Sequence, residues 1–265
     1  MLVFIIPLKS SQVSGSWELV CKLFERTLRS VCSQTSSKFK VIVVCHEQPS
    51  IVFNHSHVTY VTVDFPIPSQ DYASKEKDKM GKMLIGLIHA QAFNPSHVMF
   101  IDADDCVSKH LAKFVNHHPN HNGWFIGKGY EYREDTQLLK IRNKNFHLRT
   151  NTSHIIKYDL LEPDLKIGFD DVKRENCVLY HVDTTKILKA RGAPLSLLPF
   201  RGVIYITDNG ENMWWNQASI AAWAKNVGFK QLLRLQAGKL YQLFITRPLT
   251  NMIRDEFGIY EISAA

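Results

Sequence analysis

Residues 98–108 read VMFIDADDCVS, which sets Asp102, Asp104 and Asp105 directly behind a short apolar run. In an extended segment residues i and i+2 point the same way, so Asp102 and Asp104 would share one side with Ala103 opposite. Two hard carboxylates converging in this way suit a divalent cation such as Mg²⁺ or Mn²⁺ that keeps open positions for phosphate oxygens. The competing reading is local, with Asp105 or Ser108 capping a helix that starts near Ser108. A calcium-binding EF-hand loop is excluded. It needs glycine at its sixth position and glutamate at its twelfth, where counting from Asp102 gives Val107 and Lys113.

The elements that must position this cluster alternate in type. Leu2 to Ile6 is an apolar run of strand length, and SWELVCKLFERTLRSV places Trp17, Val20, Phe24, Leu28 and Val31 on one helical stripe, with Ser16 as N-cap. KVIVVC (40–45) and VTYVTV (58–63) are rich in β-branched residues and read as strands. Met80, Leu84, Leu87 and Gln91 mark a second helix within 75–93, and VMFI (98–101) a further strand. This rhythm of uniformly apolar strands and helices predicts an α/β fold with a mainly parallel sheet covered on both faces. In such sheets ligands bind beyond the carboxyl ends of the strands, which is where the aspartates stand.

The second half is less regular, with strands expected at 124–127, 137–142, 195–199 and 203–206 and helices near 154–161, 177–190, 214–226 and 230–245. With 265 residues and 45% apolar content, the chain can bury a full core. Its formal net charge of +7 favours anionic partners. The five cysteines are odd in number and never closer than eleven positions, which fits neither a disulfide framework nor a zinc site and points to a reducing compartment. The apolar start MLVFIIP has no basic lead-in and is interrupted by Pro7, so a buried first strand is expected rather than a signal peptide. No later run is long enough to span a bilayer, so the expected location is cytoplasmic, with peripheral contact at a membrane's inner face allowed.

A strand ending in Pro, a helix ending in LRSVCSQT, the strand FKVIVVCHE, a helix leading to SHVMFIDADD, and the late LLPFRGVIYITDNGEN together resemble the family 2 glycosyltransferases of GT-A fold. The resemblance spans most of the chain up to about residue 215. It implies a GT-A-like mixed, mainly parallel sheet flanked by helices, with C-terminal helices. It divides the chain into a nucleotide-sugar half (1–107), an acceptor half (108–228) and a helical extension (229–265). The implied reaction moves a sugar from a nucleotide-diphosphate donor, a UDP-sugar first, to a hydroxyl of a glycan or lipid-linked acceptor, with inversion. Mn²⁺ or Mg²⁺ would bridge Asp104 and the diphosphate, with Asp102 near the donor ribose or sugar. Nucleic acid is not an expected partner.

Position by position, the resemblance assigns the loop PLKSS, with Pro7 and Lys9, to the nucleotide base. Where the family has acidic residues after the second strand, VCHEQP offers Cys45, His46 and Glu47. Asp78, Lys79 and Lys82 in KEKDKMGKMLIG match the place that binds base and pyrophosphate, or else begin a solvated helix. Asp102 and Ala103 complete the donor set. Counting back from Gly192 puts Tyr180 and His181 where the family carries an acidic pair with its catalytic base, and Asp183 follows. His181 would be that base, since imidazole titrates near neutrality, or would only pack a helix. Asp170 and Asp171 match an FDE loop and are runner-up bases or acceptor ligands, with Glu175 behind them. Asp208 stands where a histidine completes the family's metal set, or lies in a plain turn, TDNGEN. Trp214 and Trp215 would stack on a sugar or enter the core, and His117, His118 and His121 read as a solvated loop. The segment from Phe229 has one basic and one apolar side, suited to packing or to an anionic membrane surface.

Two other classes fit some of these features. A haloacid-dehalogenase-like phosphatase also places Asp-x-Asp after a strand, but on the first one and with Thr or Val where Cys106 stands. A nucleic-acid-binding protein would use the positive charge, yet no basic run with interleaved aromatics is present.

Overall fold

Every residue of the run Leu2–Pro7 is buried, and it forms strand β1 at the centre of a sheet. A strand apolar at each position needs cover on both faces. The computed structural model, which describes residues 1–134, 136–161, 177–211 and 245–262, supplies it. Helix α1 (Trp17–Cys32) starts at Ser16, whose side chain accepts from Leu19 N as an N-cap. Its stripe Val20, Phe24, Leu28 and Val31 packs on Leu2, Phe4 and Ile6. Helix α2 (Tyr72–Ala90), capped by Asp71, packs Met80, Met83, Leu84 and Leu87 on Val3 and Ile5 from the other side.

Strands β2 (Phe39–Cys45), β3 (Val58–Thr62) and β4 (His97–Phe100) run parallel to β1. β5 (Cys106–Val107) follows the aspartates, and α3 (Leu111–Asn116) comes next, three residues later than expected and without a side-chain cap. The seven-stranded sheet is completed by β6 (Gly123–Phe125), β9 (His154–Lys157) and β10 (Ser196–Leu197), in the order β10, β6, β9, β4, β1, β2, β3. β9 lies antiparallel between β4 and β6, so the fold is a mixed, mostly parallel sheet flanked by helices.

β9 corrects the helix expected over 154–161. His154, Ile155 and Ile156 are buried on both faces, and only Tyr158–Leu161 turns as a short 3-10 segment. A brief apolar run carries no period that separates the two states. A second sheet orders β12 (Thr246–Pro248), β8 (Leu138–Arg142), β7 (Gly129–Arg133), β11 (Val203–Thr207) and β5. β7 was not anticipated. Helix α4 (His181–Ala190) lies within the expected 177–190. Helix α5 (Asn251–Phe257) seats Phe257 against Tyr132, Leu139, Ile204 and Ile206 on one face of the second sheet. The helices expected at 214–226 and 230–245 fall, but for Ile245, on residues outside those described.

All five cysteines are buried and free. Among the described residues no helix is long and apolar enough to cross a membrane.

Candidate active site

Strand order reverses between β1 and β4: the chain builds β2 and β3 on one side of β1, then crosses through α2 to place β4 on the other. Loops leaving two such strands diverge and open a crevice beyond their carboxyl ends. The structure has a cavity of about 630 Å³ there, lined by Pro7, Leu8 and Lys9 after β1 and by Asp102, Ala103 and Asp104 after β4.

The aspartates divide the work. Asp102 Oδ1 stands 2.5 Å from Lys79 Nζ, and Asp102 N donates to Thr152 Oγ1 at 2.8 Å. Asp104 Oδ2 accepts from Asn209 Nδ2 at 2.8 Å. Asp105 is fully buried and faces away from the cavity. Its carboxyl accepts from Thr150 Oγ1 at 2.7 Å and from Ile206 N at 3.1 Å, tying β11 to the 150–152 turn. Burial, then Asp104 and Asp102, push the Asp105 carboxyl well above the usual range. Burial and the Asp102 charge raise Asp104 as well, against the pull of Asn209, Lys9 and Lys79. Neither Asp105 nor Ser108 caps α3, so the local reading of the cluster does not hold; Ser108 Oγ instead donates to Glu256 at 2.8 Å.

Four lysines line the same cavity: Lys9, Lys75, Lys79 and Lys82. Lys82 Nζ donates to Leu8 O and to Asp78 Oδ2, each at 2.8 Å, and burial lowers its pKa despite Asp78. Lys9 Nζ pairs with Glu211 Oε2 at 2.7 Å. Glu211 also accepts from Gly15 N and Ser16 N, so it fastens the loop ahead of α1. Glu47 does not line the cavity. It accepts from Ser10 Oγ and Ser11 N, and these bonds outweigh burial to lower its pKa, so it holds the post-β1 loop from behind. His46 Nε2 meets Phe65 O at 3.1 Å.

His181, the first residue of α4, lines the cavity, whereas Asp183 does not. Asp208 departs furthest from its expected place. Its backbone is left-handed (φ 60), and its carboxylate pairs with Arg133 Nε at 2.8 Å, outside the cavity lining. Asn209, the next residue, reaches Asp104 instead. Asp170, Asp171, Glu175, Trp214 and Trp215 lie outside the described residues. His117 and His118 turn their Nδ1 atoms to carbonyls of their own helix, and His121 stacks on Trp124 with ring centroids 4.4 Å apart.

Sequence reasoning missed Glu211, Asn209, Arg149, Thr150, Asn151 and Tyr205. All of these except Asn209 line the cavity, and Asn209 holds Asp104. Among the described residues no three His, Cys, Asp or Glu side chains gather as a complete metal site. The pair Asp102 and Asp104 still suits Mg²⁺ or Mn²⁺, which commonly takes one or two protein carboxylates and fills its shell with phosphate oxygens and water.

No protein-family model matches the chain, and no curated protein does. Solved structures similar to it include S. aureus TarS, at 14% identity over 77% of this chain and 60% of that one, with a TM-score of 0.47. Another is the 2-C-methyl-D-erythritol 4-phosphate cytidylyltransferase IspD of Francisella tularensis, at 13% identity over 84% and 98% of the two chains and a TM-score of 0.42. An active-site mutant of LgtC matches at 9% identity over 97% and 100%, with a TM-score of 0.38. The chain thus spans 60% of the length of the TarS structure it matches.

Proposed function

We propose that this chain is a glycosyltransferase that moves a sugar from a nucleoside diphosphate to a hydroxyl of a glycan or lipid-linked acceptor. The observation that carries the reading is the composition of the β1/β4 cavity: Asp102 and Asp104 on one wall, and Lys9, Lys75, Lys79 and Lys82 interleaved with Glu76, Asp78 and Glu211 around the rest, in a space of about 630 Å³. The lysine ammonium groups suit the charge of a diphosphate, and a nucleotide sugar with two phosphates needs such neutralisation in a partly closed site.

In this reading Asp102 and Asp104 would hold Mg²⁺ or Mn²⁺. When bound, that ion supplies stabilisation of charge developing on the departing diphosphate oxygen. Lys9 and Lys82 flank the same leaving group, with Pro7 and Ala103 shaping the walls by the donor. Asp78 and Glu47 act one step back: Asp78 orients Lys82, and Glu47 fixes the loop that bears Lys9. His181 takes the proton from the acceptor hydroxyl. That oxygen attacks the anomeric carbon on the face opposite the leaving diphosphate, which inverts the centre. Asp171, outside the described residues, is the alternative base, and Asp183, which does not line the cavity, is one only if its side chain turns toward it. Asp208 has its side chain committed to Arg133 and is a metal ligand only if that pair opens.

A thermal-shift screen of UDP-, GDP-, CMP- and dTDP-sugars with and without Mn²⁺ tests this. A ligand at a hundred times its Kd stabilises the native state by about 2.7 kcal/mol. The expected result is a Mn²⁺-dependent rise in melting temperature for one nucleotide class, lost in Asp104→Asn. Absence of any nucleotide-sugar shift, or an undiminished shift in Asp104→Asn, would refute the reading.

A further inference from the structure

The turn that leaves β11 brings the second sheet to the cavity. Asp208 and Gly210 are both left-handed, at φ 60 and φ 83, so the chain reverses tightly over residues 208–211. Two side chains of this turn then reach loops that leave two different strands of the main sheet. Asn209 Nδ2 donates to Asp104 Oδ2 at 2.8 Å, beyond β4. Glu211 accepts from Lys9 Nζ, beyond β1, through Oε2 at 2.7 Å and through its backbone O at 2.9 Å. One turn of a separate sheet therefore grips both loops that form the crevice.

Both grips are firm. Asn209 is 5% exposed, and its Oδ1 accepts from Glu211 N at 3.0 Å while its Nδ2 holds Asp104, so the amide is engaged at both ends. The Glu211 carboxylate, 7% exposed, also accepts from Ser16 N at 2.6 Å and from Gly15 N at 3.2 Å. A Cβ at Gly15 would stand only 2.9 Å from Glu211 Oε1, so glycine is what lets the loop come this close. Three donors on one carboxylate tie the turn to the segment ahead of α1. The turn in turn sets where Asn209 stands against Asp104.

We propose that Asn209 and Glu211 are positioning residues for the cation site: Asn209 fixes the orientation of the Asp104 carboxylate, and Glu211 acts on Asp104 through Asn209 by anchoring the turn. The Mg²⁺ or Mn²⁺ that Asp104 would hold belongs to the transferase reading; the hold of the turn on Asp104 does not. Partners outside the ligand set orient a metal-binding side chain, and their loss typically weakens metal binding about 10–100-fold. This gives the turn a role other than the one expected of Asp208. Rather than adding a ligand, it supports one with a neutral amide one residue further on.

Titration of the full chain with Mn²⁺, followed by loss of the free-ion signal in electron paramagnetic resonance, tests the proposal, alone and with pyrophosphate present. Asn209→Ala should bind Mn²⁺ about tenfold more weakly than the parent or worse. Glu211→Gln should bind about threefold more weakly, within the range for residues of one hydrogen-bonded network. Because Glu211 acts through Asn209, Asn209→Ala/Glu211→Gln should bind no more weakly than Asn209→Ala. Two factors that multiply instead would show Glu211 acting by its charge alone and would overturn its part. Circular dichroism and melting without metal establish which variants fold, and Asn209→Ser replaces Asn209→Ala if the latter does not. An Asn209 variant that is less stable yet binds Mn²⁺ as the parent does has lost only a structural turn, which also overturns the proposal.

Asp104→Asn and the nucleotide-sugar shifts separate this proposal from the reading it extends. Mn²⁺ binding that is lost in Asp104→Asn but equal in the parent and Asn209→Ala keeps the cation site and refutes the positioning role. Mn²⁺ binding that depends on both Asp104 and Asn209, with no nucleotide-sugar shift, keeps the positioning role and refutes the transferase. No Mn²⁺ binding by the parent in either condition, or full binding by Asp104→Asn, refutes both.

Discussion

Replacing Lys79 with methionine removes the cation 2.5 Å from Asp102 Oδ1 while keeping most of the side chain's apolar length. Burial works against the Lys79 charge, but Asp102 and Glu76 outweigh it and raise the pKa above the ordinary 10.5. A raised folded-state value means that the pair's stabilisation is fully present below 10.5, so a measurement at pH 7.5 lies inside the window. Removing one partner of a fully buried ion pair costs about 3–5 kcal/mol. Here each side chain keeps 20% exposure, and water screens part of the charge left behind. The expected loss is therefore about 2 kcal/mol, which for a domain of this size is a fall of roughly 4–8 °C in melting temperature. Most of it should return in Lys79→Met/Asp102→Asn, where no carboxylate is left without its cation. Mn²⁺ should raise the melting temperature of Lys79→Met more than that of the parent, since the vacated charge is then supplied by the ion. Scanning calorimetry with EDTA and with Mn²⁺ measures all three. A Lys79→Met protein that melts with the parent, or a double variant no more stable than the single one, would refute the claim that Lys79 neutralises this pair.

Two further outcomes follow from the packing. His97 is buried with Nε2 on His121 O at 2.8 Å, and burial lowers its pKa from 6.5 to about 4. The unfolded chain therefore takes up a proton first as pH falls, and stability that is full above pH 6.5 drops by up to about 3 kcal/mol by pH 4. Urea midpoints at pH 7.5 and 4.5 should show a smaller gap in His97→Gln, and an unchanged gap would count against this assignment. In α2, a Cβ at Gly86 would come 2.4 Å from Ile5 Cγ2 and 3.3 Å from Val44 Cγ2. Gly86→Ala should therefore destabilise by about 1 kcal/mol net, although alanine favours a helix by a similar amount; a more stable variant would show that α2 sits further from the sheet.

The sequence by itself determined the parallel half of the main sheet and the location of the acidic pair. Uniform apolar runs need cover on both faces, and a helical stripe such as Val20, Phe24, Leu28 and Val31 has only one face to bury. These are local periods, visible in any window of a dozen residues. His154–Lys157 carried no such period, and whether it became a helix or a strand was decided by the gap between β4 and β6. The surroundings of the aspartates were likewise a tertiary matter. Lys79 and Asn209 reach Asp102 and Asp104 from segments remote in sequence, and Glu211 meets Lys9 across most of the chain. One backbone angle shows why: the left-handed turn at Asp208 sends its carboxylate to Arg133 and leaves Asn209 to hold Asp104. Residue types and spacing name the groups that can do chemistry, but which of them share a cavity depends on where the sheet reverses its strand order, and that is set by packing across the whole chain.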